Sequence, residues 1–219
     1  MSRLPKLLIL SLLALALSPL ALASDGDNSR VNGSVNVAAG APLDDASTVN
    51  GSVHIAAGAA VREASTVNGS IDLGAKAQAA SLDTVNGSVS LAAGSRVSGD
   101  VSAVNGKLLL AAGSEVAGKL GNVNGTIMLD SAHVAGGIST VNGDITVGAN
   151  SRVEGGILVE KPSGWFNFNR SLPTIIIGPH AVVSGTLDFR REVTLKVSDS
   201  AQIGPVKGAT AVKFSGATP

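Results

Sequence analysis

The sequence predicts an all-β protein, a single-stranded parallel β-helix that forms a triangular solenoid with about 18 residues per coil. The tripeptide Val-Asn-Gly recurs seven times, and successive copies are 18, 18, 18, 19, 19 and 18 residues apart. Between the copies, apolar residues alternate with other residues in short segments, which is the periodicity of a strand. Glycines recur between these segments, which disfavours helices. A short repeat of nearly fixed length is typical of coils stacked into a solenoid.

Residues 1–23 are predicted to be a cleavable signal peptide. Arg3 and Lys6 form a basic start, residues 7–17 are mostly apolar, and the small residues around Ala23 suit a cleavage site after that residue. The alternative is an anchor that is kept. Cleavage would leave residues 24–30 as a polar N-terminal segment and would place the mature chain in the periplasm or outside the cell. No transmembrane span is expected after the signal is removed.

Composition narrows the classes of function. Removing Arg3 and Lys6 from 16 basic residues leaves 14 against 16 acidic ones, so the mature chain has no electrostatic preference for nucleic acid. The absence of cysteine excludes disulfides and thiolate metal sites. Only 2% of residues are aromatic but 44% are hydrophobic, which indicates a thin core of small aliphatic side chains.

The predicted solenoid covers residues 31–206, and each coil has three short strands. The first strand carries the tripeptide valine. The second reads apolar-x-apolar, as in Val53 with Ile55 and Val89 with Leu91. The third reads Val-x-Gly-x-apolar, as in residues 97–101. Three strands and three corners make a triangular coil, and glycines such as Gly58 suit the corners. Each strand should pair in parallel, and in register, with its copy one coil later.

The asparagine of each tripeptide is predicted to form a corner ladder, in which stacked amides hydrogen-bond along the rod. Asn followed by Gly is also a turn signal, because both residues tolerate positive φ. The ladder positions are Asn32, Asn50, Asn68, Asn86, Asn105, Asn124 and Asn142. Glycosylation is the rival interpretation, but among these seven positions its sequence requirement is met only at Asn32, Asn50, Asn68, Asn86 and Asn124.

Residues 161–172 interrupt the repeat and are predicted to be a loop inserted at one corner. This loop holds Trp165, Phe166 and Phe168. Two interpretations are open: the loop covers an apolar side of the rod, or its aromatic side chains are exposed and bind a partner, a glycan or a membrane surface. Residues 207–219 are small and polar and are predicted to be a C-terminal tail.

No catalytic, cofactor-binding or metal-binding residues are predicted. His54, His133 and His180 occupy different positions within their coils, so they form no column. Asp44 and Asp45 are the only adjacent acidic pair and are expected to lie on a solvated corner. The expectation is therefore a protein that is not an enzyme, although an enzyme with a site dispersed along one face is a rival.

Residues 147–157 (VGANSRVEGGI) and 177–187 (IGPHAVVSGTL) resemble the bactofilins, bacterial proteins that form polymers. The resemblance covers roughly residues 31–206 and implies a right-handed β-helix that joins end to end without nucleotide. Bactofilins of the usual kind are cytoplasmic, whereas this chain carries a predicted export signal. The Val-Asn-Gly repeat is also similar to the β-helical stretches of exported adhesin-like proteins.

These observations predict an exported, non-enzymatic scaffold of the bacterial cell envelope that self-associates through its terminal coils. An envelope protein or a glycan is a further candidate partner. The alternative function is a surface adhesin or glycan-binding module that uses the 161–172 loop.

Overall fold

The structure, a computed structural model, describes residues 28–41, 44–162 and 172–219. These residues form 26 strands, numbered β1 to β26 in chain order, and every paired strand is parallel to its neighbour. The predicted parallel β-solenoid is thus confirmed. The described part of the chain contains no helix, and so no helix that is long and apolar enough to cross a bilayer.

The strands form three faces. The asparagine face contains β1 (Asn28–Asn32), β3 (Ala46–Asn50), β5 (Ala60–Asn68), β7 (Gln78–Asn86), β10 (Val101–Asn105), β13 (Leu120–Asn124), β16 (Ile138–Thr140), β19 (Ile157–Val159), β22 (Leu187–Phe189) and β25 (Val206–Lys207). The second face contains β2 (Val35–Val37), β4 (Val53–Ile55), β6 (Ile71–Leu73), β8 (Val89–Leu91), β11 (Leu108–Leu110), β14 (Thr126–Leu129), β17 (Asp144–Val147), β20 (Thr174–Ile177), β23 (Thr194–Ser198) and β26 (Ala211–Phe214).

The third face contains the first residues of β5 and β7, which run through the corner onto the asparagine face. Its other strands are β9 (Arg96–Val97), β12 (Glu115–Val116), β15 (His133–Val134), β18 (Arg152–Val153), β21 (Val182–Val183) and β24 (Gln202–Ile203). The second face has ten strands. At the usual strand spacing of about 4.8 Å, its first and last strands are about 43 Å apart.

Like residues meet along the rod, as the repeat predicts. On the second face, Val53 pairs with Ile71, which pairs with Val89. On the third face, Val97 pairs with Val116, which pairs with Val134. All of these side chains are at most 1% exposed. The core is therefore a set of aliphatic columns, and each fully buried Val, Leu or Ile contributes about 1.5–3 kcal/mol of transfer free energy.

The paired strands extend beyond the predicted bounds of 31–206. The first strand begins at Asn28, and β26 lies inside the segment predicted to be a tail, where Leu195 pairs with Ala211. The prediction missed β26 because the positions in register with the buried Leu195 and Val197 are filled by Ala211 and Lys213, which break the aliphatic pattern. Lys213 takes the place that Val197 holds one coil earlier.

The insertion leaves the rod at the asparagine corner. Strand β19 ends at Val159 and β20 begins at Thr174, yet Ile145 on β17 pairs directly with Ile175. The coil is thus 30 residues long here, while the stacking of the second face continues across the junction.

Candidate functional site

The asparagine corner is the most regular polar feature of the rod. Each amide Nδ2 donates to the Oδ1 of the asparagine one coil earlier. The six distances, from Asn50–Asn32 to Asn142–Asn124, are 3.1, 3.0, 3.1, 3.0, 2.9 and 3.0 Å. All seven predicted asparagines are therefore members of one hydrogen-bonded row, which we call the asparagine ladder.

Arg191 closes the ladder at its C-terminal end. Its Nη1 donates to Asn142 Oδ1 at 2.5 Å and to the backbone oxygen of Val141 at 3.1 Å. A guanidinium can only donate, so Asn142 must present its oxygen to Arg191 and its Nδ2 to Asn124. Each earlier asparagine likewise accepts at its Oδ1 from the next coil, so its Nδ2 must face the coil before it. The orientation of every amide in the ladder is thereby fixed.

Sequence reasoning missed Arg191, because its place in the ladder column appears only once the coil register is known. In the coil register, Thr140, Val159 and Phe189 lie in one column, so Arg191 occupies the position of the ladder asparagine two coils after Asn142. Arg191 is thus a basic residue in the ladder column, with Arg190 beside it, and it marks the end of the row. Arg190 in turn donates to both carboxylate oxygens of Glu160 at 2.8 and 2.9 Å.

In the six coils from Val49 onward, the residue before the tripeptide valine, and not the valine itself, faces the core. Thr48, Thr66 and Thr84 are at most 4% exposed, whereas Val31 and Val49 are 46% and 41% exposed. The threonine hydroxyls donate to the backbone oxygens of Gly33, Gly51 and Gly69 at 2.8–3.1 Å. This column satisfies backbone carbonyl groups that the strands leave unpaired.

Asn122 takes the threonine role in its own coil, because its Nδ2 donates to the backbone oxygen of Gly106 at 2.8 Å. Its side chain is 3% exposed, and its Oδ1 has no hydrogen-bond partner within the described residues. The larger amide thus satisfies the same carbonyl as threonine would and leaves one buried acceptor unpaired.

The explanation of the ladder glycines by positive φ is wrong for most coils. Among these glycines, only Gly33 and Gly125 have positive φ, and none of the ladder asparagines does. The requirement is instead close stacking: a Cβ on Gly87 would lie 1.8 Å from the backbone oxygen of Gly69, and one on Gly106 would lie 1.8 Å from that of Gly87. Positive φ is needed at the next corner, as predicted for Gly58.

Trp165, Phe166 and Phe168 lie outside the described residues, as does the predicted signal peptide. The described ends of the insertion are Pro162 and Leu172, and Leu172 is 44% exposed. Both interpretations of the aromatic segment stay predictions.

The three histidines lie at unrelated places on the surface. His54 Nδ1 is 2.9 Å from Asp72 on the second face, and His133 Nε2 is 3.2 Å from Glu154 on the third face. His180 is an exposed corner residue with a φ of 56°. Within the three described ranges, no group of three or more His, Asp and Glu side chains is arranged to hold a metal ion.

A groove of about 780 Å³ lies along the second face. Its outward-facing residues, one from each of six coils, are Asn36, His54, Asp72, Ser90, Leu109 and Met128. His54, Asp72 and Ser90 have the residue types of a hydrolytic triad but the wrong order. Asp72 lies between the other two, so the backbones of Ser90 and His54 are two coils, or about 9.6 Å, apart, and the partner of the His54 side chain is Asp72 and not Ser90.

Carboxylates accumulate at the corner where β5 and β7 turn. Arg62 binds Asp45 at 3.0 Å, and the Ser102 hydroxyl donates to Asp83 Oδ1. Burial raises the pKa of Asp83, the hydrogen bond from Ser102 opposes that rise, and the charge of Asp100 adds to it. Burial also raises the pKa of Glu63, with further contributions from Asp83 and Asp45 and an opposing one from Arg62.

Asp83→Asn should therefore stabilise the protein at neutral pH. Because the folded pKa is raised, the ionised carboxylate of Asp83 destabilises the fold above that pKa, and this cost disappears as pH falls towards the ordinary value of 3.8. We expect a higher melting temperature for Asp83→Asn than for wild type at pH 7, and a difference that closes with acidification. Circular dichroism melts across this pH range provide the measurement.

The exposed residue Asp199 provides the control, since Asp199→Asn should leave the melting temperature nearly unchanged at each pH. A lower melting temperature for Asp83→Asn at pH 7 would show that the ionised carboxylate stabilises this corner.

The polar groups of the described residues are thus arranged for stacking, with hydrogen bonds and ion pairs that run from coil to coil. Comparisons with known proteins found no matching family model, no matching curated protein and no matching solved structure.

Proposed function

We propose that this protein is an exported, non-enzymatic structural rod of the bacterial cell envelope, in the periplasm or at the cell surface. It would self-associate through a terminal coil, as the resemblance to the bactofilins implies. The observation that carries this proposal is the continuous in-register stacking of the described coils, which ends in strands with a partner on one side only within that part of the chain.

The stacking supports a mechanical role. The aliphatic columns, the asparagine ladder and the backbone bonds all run along the rod, so bending requires many weak contacts to break together. The third face adds charged contacts between coils, with Glu115 near both Arg96 at 3.2 Å and His133 at 3.8 Å. Exposed pairs of this kind contribute little individually.

The two ends of the rod differ. At the N-terminal end, β2 keeps aliphatic residues in both columns, and Val35 and Val37 are at most 4% exposed. At the C-terminal end, Lys213 of β26 is in register with the buried Val197 but is itself exposed. A charge at this register position of a terminal strand hinders the addition of another strand. This contrast favours the N-terminal edge as the place where a second copy pairs.

Asn36→Pro tests this proposal with little effect on the coil itself. The backbone N–H of Val35 donates to Ser52 and the oxygen of Val37 accepts from Ala56, both one coil later. Alternate residues of a parallel strand face opposite neighbours, so the N–H of Asn36 points away from β4. Proline at this position removes a donor that only a further strand would use.

We expect multimers of wild-type protein in size-exclusion chromatography with light scattering, and monomers of Asn36→Pro at the same concentration. Asn36→Thr keeps the N–H and should assemble like wild type. Equal melting temperatures would show that the proline variant is folded. A wild-type monomer at high concentration, or assembly that survives Asn36→Pro, would contradict association through this edge.

A further inference from the structure

The ladder contains seven Asn-Gly pairs. Of all the peptide bonds in this sequence, these are the most prone to deamidation. The backbone nitrogen of a glycine can attack the Cγ of the preceding asparagine side chain and release ammonia. Glycine favours this attack because it has no Cβ to hinder the approach. A backbone N–H that is hydrogen-bonded and shielded from water resists it, because the nitrogen must lose its proton to become nucleophilic.

The stacking restrains this nitrogen at six of the seven pairs. In five coils, the glycine N–H donates to the backbone oxygen of the ladder asparagine one coil later, at 2.9–3.1 Å. These donors are Gly33, Gly51, Gly69, Gly87 and Gly106. In the last coil of the ladder, Gly143 N–H donates instead to the hydroxyl oxygen of Thr140 at 2.9 Å.

Gly125 is the exception. Its N–H donates no hydrogen bond within the described residues, its φ is +125°, and both it and Asn124 are exposed. The cause lies one coil later: β16 ends at Thr140, so Asn142 leaves the strand and its own N–H donates back to Val123 at 2.8 Å. Gly125 therefore loses the regular bond to the next coil and, unlike Gly143, has no replacement acceptor within the described residues.

We propose that Asn124 is the site at which this ladder deamidates. Water or hydroxide removes the proton from Gly125 N, and the nitrogen forms a bond to Asn124 Cγ. The bond from Cγ to the side-chain nitrogen then breaks, and that nitrogen leaves as ammonia after it gains protons. Water opens the resulting succinimide at either carbonyl carbon, which gives aspartate or isoaspartate at position 124.

Either product interrupts the ladder. A carboxylate cannot donate to Asn105 Oδ1, so two acceptor oxygens face each other where one hydrogen bond of 2.9 Å existed. Isoaspartate also adds one backbone carbon to the coil and disturbs the register of every strand that follows. The modification thus interrupts the ladder between Asn105 and position 124, while Asn142 can still donate to the new carboxylate.

The test is peptide mapping by mass spectrometry of folded protein incubated at mildly alkaline pH, with sampling over time. We expect Asn124 to deamidate about five-fold or more faster than Asn50, Asn68, Asn86 and Asn105, the factor that one net hydrogen bond represents. The same chain in denaturant should lose this preference, because all seven pairs then share the same local chemistry. Equal rates at these asparagines in the folded protein would overturn the proposal.

Asn32 provides the matched internal control. Gly33 is exposed and has a φ of +100°, as at Gly125, but its N–H donates to Asn50 at 2.9 Å. Slower reaction at Asn32 than at Asn124 supports the role of the unbonded N–H. Reaction at Asn32 equal to or faster than that at Asn124 would show that exposure alone decides, and would also overturn the proposal.

Discussion

We expect Ile127→Asp to destabilise the protein by about 4–5 kcal/mol or to prevent folding altogether. Ile127 is fully buried and pairs with Leu108 on one side and Ile145 on the other. A carboxylate at this place has only aliphatic neighbours in its column. Because each coil is stabilised only by the coils next to it, the loss of structure should spread beyond one coil.

The adjacent residue provides a matched control. Met128 lies on the same strand, β14, but faces outward and is 45% exposed. Met128→Asp should therefore keep a melting temperature close to that of wild type, while Ile127→Asp should lose most of the cooperative transition in circular dichroism. Similar melting of both variants would contradict the inward direction of the Ile127 column.

The second large effect is expected for Gly87→Ala. The added methyl carbon would meet the backbone oxygen of Gly69 at 1.8 Å, and the backbone cannot move away without separating two coils. The bonds from Gly69 N to Asn86 and from Gly87 N to Asn105 lie at this corner. We expect a loss of about 3 kcal/mol or more in the free energy of unfolding, measured by chemical denaturation.

Gly58→Asn separates this effect from the general consequences of replacing a glycine. Gly58 has a φ of +70° and open space around its Cβ position, and Asn150 adopts a φ of 57° at the same corner of a later coil. The change should alter the free energy of unfolding by no more than about 0.5 kcal/mol. If Gly87→Ala proved as stable as wild type, close stacking would not explain the ladder glycines.

The fold could be predicted from the sequence because every coil of a solenoid repeats the same pattern of apolar and corner residues. The apolar-x-apolar segments at Val53, Val89 and Leu108 all face the core as the period of two predicts. The coil length located the strands, and the regular tripeptide located the ladder corner. Strand β26 escaped prediction because Lys213 stands where an aliphatic residue would have continued the pattern.

The parts that the sequence did not reveal depend on contacts between coils. Whether a glycine is needed for its φ or for its lack of a Cβ cannot be read from its own coil, and Gly87 shows that the second reason applies. Arg191 reaches back 49 residues to Asn142, a distance in sequence that no local pattern encodes. The unbonded N–H of Gly125 depends likewise on where β16 ends.

The direction of the asparagine ladder has an electrostatic consequence. All amide N–H groups point towards the N-terminal end, so the side-chain dipoles add head to tail, as backbone dipoles do in a helix. The oxygen end of this row carries partial negative charge and meets the cation of Arg191. At the opposite end, Asn32 carries the partial positive charge of the row. The asparagine ladder therefore has a positive end at Asn32 and a negative end at Asn142, and these two ends favour ions of opposite sign.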